Sequence, residues 1–268
     1  MANKLTKKEI KSIPRSYDVV GDLLIFSDFP DTLAKKEKLV AEQILQEHSN
    51  VKVVLKKIKQ YSGVFRTPTL RILGGERRKK TIYKENGVRL LINPEKMYFS
   101  SRLSTERKRI YCQIKSGEEV LVMFSGAGPY PVVISKNTSA KEIYGIEINP
   151  SAHEYALESL KLNKINNVKL YCGDVNKILP KIKKKFDRIL MPLPKDASDF
   201  LQIALKKINN KGIIHLYDFE EEKNISDVKD KIKIACKLAG KKCRILGVVK
   251  CGQYGPRKFR ICADFKVE

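Results

Sequence analysis

The pattern of apolar and polar positions is sharpest between Glu118 and Pro150. A β-branched run from Val120 to Phe124 leads into Ser125-Gly126-Ala127-Gly128. An apolar segment of helical character follows, and a second short run, Ile143 to Ile146, stops at Glu147. This order predicts a strand, a glycine turn, a helix, and a strand ending in an acid. The alternation continues downstream with a helix from Ser151 to about Lys164, strand VKLYC, a helix near Val175, strand FDRILMPL and a helix from Ala197. Strand GIIHLYDF, a helix through Val228 to Leu238, and strands RILGVVKC and FRICADFKV around GQYGPR complete it. The link in the last pair is too short for a parallel crossover, so that pair is antiparallel.

Upstream the pattern is shorter in period. SYDVVGDLLIFS reads as two strands around Gly21-Asp22, and Asp31 or Thr32 caps a helix running to about His48. VKVVLKKI is strand-like, Ser62 to Arg71 carries Gly, Pro and two arginines, and TIYKENGVRLLIN turns at Asn86-Gly87. A helix from near Ser101 to about Ile114 follows Tyr98-Phe99. The expected class is α/β, with a Rossmann-like domain over residues 98–268 and a smaller N-terminal α+β domain over 1–97. A parallel sheet closed by an antiparallel hairpin is the arrangement of Rossmann-like class I methyltransferases.

Length and composition narrow the setting. A chain of 268 residues with 42% hydrophobic content can bury a sizeable core. No apolar run approaches bilayer length and the N-terminus lacks a signal-type stretch, so a cytoplasmic protein with no membrane partner is expected. The six cysteines contain no C-x-x-C pair, and Cys112, Cys172, Cys251 and Cys262 lie in or beside apolar segments. Buried reduced thiols, and no metal, are expected from them. Charge changes the picture most, since 54 Lys and Arg against 30 Asp and Glu leave +24. Such a field attracts polyanions, although a lysine-rich proteome supplies exposed lysines without a nucleic acid partner. The first 110 residues hold 25 basic and 12 acidic side chains, the denser part of the surplus.

The glycine turn bears on the ligand. A phosphate-binding loop requires a lysine and Ser or Thr after its glycines, and the chain offers Pro129-Tyr130. A dinucleotide fingerprint requires a third small residue where Pro131 stands. A short G-x-G turn, with Glu147 able to accept from ribose hydroxyls, suits a cofactor without pyrophosphate such as S-adenosylmethionine. An ordinary strand-to-helix loop using glycine for backbone freedom is the alternative.

At YFSSRLSTERKRI (Tyr98 to Ile110) and VMFSGAGPYPVVISK the sequence resembles the archaeal and eukaryotic family of tRNA methyltransferases that modify the purine at position 37. The resemblance continues through EINPSAHEYALESLKLN, GDV at Gly173 to Val175, FDRILMPLPKDASDFL and KCGQYGPRKF. It implies S-adenosylmethionine as cofactor, the anticodon arm of tRNA as partner, a monomer, and 1-methylguanosine as product. One archaeal branch also, or instead, methylates carbon 7 of the tricyclic wyosine precursor at the same position; a methyltransferase for another tRNA or rRNA base, or a basic RNA-binding protein without catalysis, is the alternative. Members usually carry an additional small N-terminal domain, and this chain is expected to begin at the second domain.

The resemblance also assigns roles. Glu106 stands at the general base, where a carboxylate removes the proton of guanosine N1; a surface pair with Arg102 one turn away is the alternative. Arg66, in GVFRTP, matches an arginine that holds the purine oxygen as negative charge develops there. Phe124, Ser125, Gly126 and Gly128 with Glu147 and Asp174 hold the cofactor, Glu147 at the ribose and Asp174 at the adenine amino group. Arg102, Pro192, Leu193 and Pro194 line the target-base pocket, Pro192 also bordering the cofactor; Tyr98 belongs to the cofactor or target-base pocket, with buried aromatic packing as the alternative. Two departures stand out. Val122 replaces a usual acid, and Pro192-Leu193-Pro194 replaces Asn-Leu-Pro. Asparagine can hold a guanine edge as donor and acceptor, whereas proline offers a carbonyl alone, which points toward the wyosine-precursor branch.

Overall fold

A computed structural model describes residues 5–193 and 200–268, with the backbone alone at Tyr254. The chain divides into two compact units, residues 1–85 with 89–101, and residues 102–268 with 86–88.

The first unit opens with α1 (Lys7–Ser12), which the sequence reading did not anticipate. Its start is fixed by a capping box in which Thr6 and Glu9 satisfy each other's backbone N–H groups. Strands β1 (Tyr17–Val20) and β2 (Leu23–Phe26) pair antiparallel across Gly21-Asp22. The helix expected from Asp31 begins as a 3₁₀ turn over Asp31–Lys36 with no side-chain cap, and only then becomes α2 (Glu37–Glu47). Strand β3 (Val53–Ser62) returns parallel to β2, so β2, α2 and β3 form a βαβ unit. Strand β4 (Thr67–Gly75), read in the sequence only as a Gly- and Pro-bearing segment, pairs antiparallel with β3. Leu24, Phe26, Val40, Ala41, Ile44 and Val54 form the core between α2 and the sheet. Strands β5 (Thr81–Glu85) and β6 (Val88–Ile92) make the hairpin turning at Asn86-Gly87.

In the second unit the helix expected over 101–114 is a 3₁₀ turn at Ser101–Leu103 followed by α3 (Ser104–Tyr111). Then come β7 (Glu119–Met123), α4 (Pro129–Asn137), β8 (Glu142–Glu147), α5 (Pro150–Leu162), β9 (Val168–Cys172) and α6 (Val175–Ile178). They are followed by β10 (Phe186–Met191), α7 (Leu201–Lys207), β11 (Ile208–Glu221), α8 (Asp227–Leu238), β12 (Cys243–Gly255) and β13 (Lys258–Val267). Ala197, the expected start of a helix, lies outside the described residues. The sheet runs β12-β13-β11-β10-β7-β8-β9. The strands from β9 to β11 are parallel and β13 is antiparallel to both β11 and β12. Helices cover both faces because strands buried on both sides, such as LVM and ILM, cannot face water.

The chain leaves β7 toward β8 and β9, then crosses back to β10 on the other side. The gap between the carboxyl ends of β7 and β10 is therefore the switch point at which α/β sheets bind ligands.

Candidate cofactor and active site

Strand register brings the expected cofactor residues to one edge. Met123 pairs with Ile146, Glu147 with Cys172, and Val122 with Leu190. Glu147, the last residue of β8, and Phe124, Asp174 and Pro192, just beyond β7, β9 and β10, accordingly lie at the carboxyl ends of four adjacent strands.

The turn after β7 is unusual backbone. Phe124, Gly126 and Gly128 have φ of 59°, 57° and 75°. Left-handed backbone at Phe124 costs energy for a residue with a side chain, and its ring packs edge-on against Phe200, centroids 4.9 Å apart. Ser125 is buried and its N–H donates to the Ile146 carbonyl at 2.9 Å. Gly128 caps α4 in left-handed conformation ahead of Pro129, and a Cβ there would lie 3.0 Å from Cβ of Ala156 on α5.

Glu147 ties the loops together. Its Oε2 accepts from Gly126 N–H at 2.7 Å and its Oε1 from Asn149 N–H at 2.8 Å. Burial pushes its carboxyl above the usual carboxylate range, and the backbone N–H groups of Asn149, Gly126 and Ile148 only partly oppose this. An ionised carboxylate offers about four acceptor positions, so three backbone donors leave room for a ligand hydroxyl. Asp174 caps α6 through Oδ1, which accepts from Asn176 N–H at 2.8 Å. A left-handed glycine turn beside a strand-end carboxylate fits an adenosine-type cofactor.

Glu106 is buried on α3. Its Oε1 accepts from the Tyr217 hydroxyl of β11 at 2.7 Å and from Arg109 Nη2 at 2.8 Å, and its Oε2 accepts from Arg109 Nε at 2.7 Å. Tyr217 also meets the Tyr130 hydroxyl at 2.8 Å. Burial raises the pKa of both phenols, so both stay protonated. Arg109 reaches Asp264 of β13 through Nη1 at 2.5 Å, and His215 Nδ1 lies 2.6 Å from the same carboxylate. Nε2 of His215 faces Arg188 Nη1 at 2.7 Å, and Arg188 pairs with Glu118. Burial depresses the imidazole, against the pull of Asp264. Burial would raise Asp264, but His215 and Arg109 together hold it well below the carboxylate range. The donor atoms of His215, Cys262 and Asp264 lie within 4.8 Å of one another; Asp264 is engaged with Arg109 and His215 with Arg188, whose positive charge disfavours a cation there.

None of Arg109, Asp264, His215, Tyr217 or Arg188 stood out in the sequence reading. The available signal was a polar residue inside a strand that is otherwise apolar, as in GIIHLYDF, RICADF and FDRILM, since such residues are buried only when paired.

The remaining expected residues fall as follows. Arg66, in the first unit, is half-buried at the β3–β4 turn with φ of 49°, its N–H bonded to Gly63 O at 3.1 Å. Tyr98, in the same unit, is exposed and edge-on to Tyr61, centroids 5.7 Å apart. Pro192 and Leu193 are half-buried beyond β10, while Pro194 lies outside the described residues. Arg102 is exposed just ahead of α3. Val122 is fully buried with Ile110, Tyr130 and Tyr217. The cysteine reading needs correcting: Cys112 and Cys172 are exposed, whereas Cys236, on the inner face of α8, is buried along with Cys262. Among the described residues no helix is long and apolar enough to cross a membrane.

The TRM5/TYW2 methyltransferase domain matches residues 81–246. This chain belongs to the TRM5/TYW2 methyltransferase family. The TYW2 N-terminal domain matches residues 1–78. Among curated relatives, tRNA (guanine(37)-N(1))-methyltransferase Trm5b of Pyrococcus abyssi is 38% identical over 256 residues, covering 95% of this chain and 76% of Trm5b. The tRNA (guanine(37)-N(1))/4-demethylwyosine(37)-methyltransferase Taw22 of Nanoarchaeum equitans is 33% identical, covering 92% and 97%. A structure of aTrm5 in complex with tRNALeu superposes with a TM-score of 0.83 at 32% identity, over all of this chain and 80% of that one. Methanocaldococcus jannaschii Trm5 in complex with adenosine gives 0.80 at 33% identity, over 97% and 75%. Within the TRM5/TYW2 family the fold is thus the Rossmann-like methyltransferase architecture.

Proposed function

We propose that this protein transfers a methyl group from S-adenosylmethionine to the purine-derived base at position 37 of tRNA, at N1 of guanosine, at C7 of the 4-demethylwyosine precursor, or at both. The observation that carries the reading is Glu147. It is a buried strand-end acid locked to the glycine turn at the switch point, in a chain of the TRM5/TYW2 family.

S-adenosylmethionine supplies an electrophilic methyl group. The chain's own residues do the rest. Glu147 accepts from the ribose hydroxyls, Asp174 takes the adenine amino group, and Gly126 and Gly128 let the methionine portion lie close to the backbone. Glu106 receives the N1 proton at Oε2, the oxygen with a single donor. Arg66 donates to the purine oxygen as negative charge moves onto it. Arg102, Pro192 and Leu193 border the pocket that receives the base once it leaves the anticodon-loop stack. Pro192 lacks the amide that would select guanine, which favours the wyosine precursor as a substrate. The basic first unit contacts the anticodon arm, and the protein acts as a cytoplasmic monomer without a metal.

Glu106→Gln tests the assignment. Turnover falls about 10²–10⁴-fold while tRNA affinity is kept; equal loss of both makes the residue structural.

A further inference from the structure

We infer that Arg109 is a positioning residue for Glu106, held in place by Asp264 and, behind it, by His215 and Arg188. The inference rests on the reading of Glu106 as the proton acceptor.

Glu106 sits on α3, a helix of eight residues, and a helix that short does not fix a long side chain by itself. The guanidinium of Arg109 does so, because its Nε and Nη2 meet the two carboxylate oxygens at 2.7 and 2.8 Å as a planar fork. The fork is itself fixed from the sheet. Nη1 and Nη2 of Arg109 reach Oδ2 and Oδ1 of Asp264 at 2.5 and 3.3 Å.

Asp264 is fixed in turn. His215 pairs with it directly across β11 and β13, and the chain of donors has one possible direction. Arg188 has no acceptor atom, so His215 Nε2 must accept from it. The proton of the imidazole therefore resides on Nδ1 and is donated to Asp264 at 2.6 Å. Cys262 Sγ, 3.2 Å from the same oxygen, completes its surroundings. Arg188 is anchored at the far end by both oxygens of Glu118 at 2.7 and 3.0 Å and by the Gln113 carbonyl at 2.8 Å.

The result is a row from the amino end of β7 to Glu106, running Glu118, Arg188, His215, Asp264, Arg109, Glu106. At the Glu106 end Oε1 takes two donors and Oε2 takes one, from Arg109 Nε. A staple serving the fold alone requires charge balance at Arg109. A positioning role requires the fork, which lysine cannot make.

The test is single-turnover methyl transfer to tRNA by the full chain, combined with binding constants for tRNA and S-adenosylmethionine and a thermal melt. Arg109→Lys keeps the charge and loses the fork. The transfer rate is expected to fall on the order of 10²-fold, as for a reacting group displaced by about 1 Å, with both binding constants within about threefold. Asp264→Asn, one step further back, keeps an acceptor for His215 and is expected to cost about tenfold in rate. In a Glu106→Gln background, Arg109→Lys is expected to have no further effect, since the two act as one unit. Additive losses, or an unchanged rate in Arg109→Lys, overturn the inference. Failure of the underlying reading registers separately, as full turnover by Glu106→Gln alone.

Discussion

Replacing Glu147 by glutamine isolates what the strand-end acid does. In the wild-type structure both carboxylate oxygens accept from backbone N–H groups, those of Gly126 and Asn149. Glutamine supplies one acceptor oxygen and turns an NH₂ toward the other N–H, so one loop loses its tie. Two ribose hydroxyls then meet a neutral amide in place of a carboxylate. A hydrogen bond to a charged group contributes about 1.5–3 kcal/mol and a neutral one about 0.5–1.5. The difference over two hydroxyls is roughly 2–3 kcal/mol, equivalent to about 30- to 150-fold in affinity. Titration calorimetry with S-adenosylmethionine measures it directly, with circular dichroism confirming the fold. The pH dependence follows in sign. Burial raises the Glu147 carboxyl, and the ribose hydroxyls donate to its ionised form. Cofactor affinity is therefore complete above the raised pKa and is lost as pH falls through it, at higher pH than an ordinary glutamate would give. An affinity within threefold of wild type in Glu147→Gln, about 0.65 kcal/mol or less, refutes the ribose assignment.

Three further outcomes follow from the same geometry. Gly145→Ala places a Cβ 2.5 Å from Leu170 Cδ2 and 3.1 Å from Ser125 Oγ; the leucine tip can turn away but Ser125 is pinned to Ile146, so cofactor affinity in the same calorimetry falls about tenfold, an overpacking cost near 1.4 kcal/mol. His215 is depressed by burial, so its contribution is present above about pH 6.5 and is lost as pH falls from there through the lowered folded value. The midpoint of thermal unfolding should drop below about pH 6.5 in the wild type, and His215→Gln should flatten that slope. Tyr61 is exposed, with Lys57 Nζ 4.8 Å over its ring; if this cation–aromatic pair meets the RNA, Tyr61→Ala weakens tRNA binding by about 1–3 kcal/mol in a filter-binding assay without changing the salt slope, and unchanged binding excludes the contact.

The central architecture was legible because its signals are local. Val120 to Phe124 and Ile143 to Ile146 are apolar, β-branched runs bounded by glycine and an acid, and they fold as the strands that run into the glycine turn and Glu147. The hairpin at Asn86-Gly87 carries its turn chemistry in two residues. What failed to show was decided by pairing across long sequence distance. Strand β4 forms because β3 offers it an antiparallel partner, although Gly63 and Pro68 punctuate the segment. Asp264 and His215 read as isolated polar residues in apolar strands until register places them opposite each other, and Arg109 reads as a surface cation until Asp264 faces it. Cys112 misled because it adjoins an apolar run at the end of a helix whose inner face is held by Ile110.

The most direct measurement is nucleoside mass spectrometry after incubating the protein and S-adenosylmethionine with two tRNAs, one bearing guanosine at position 37 and one bearing the demethylated tricyclic precursor there. The account predicts a single added methyl group on the base at position 37 of at least one of them, with the tricyclic base favoured by Pro192. A methyl group placed on another nucleoside, an aminocarboxypropyl group in its place, or no addition to either tRNA contradicts it.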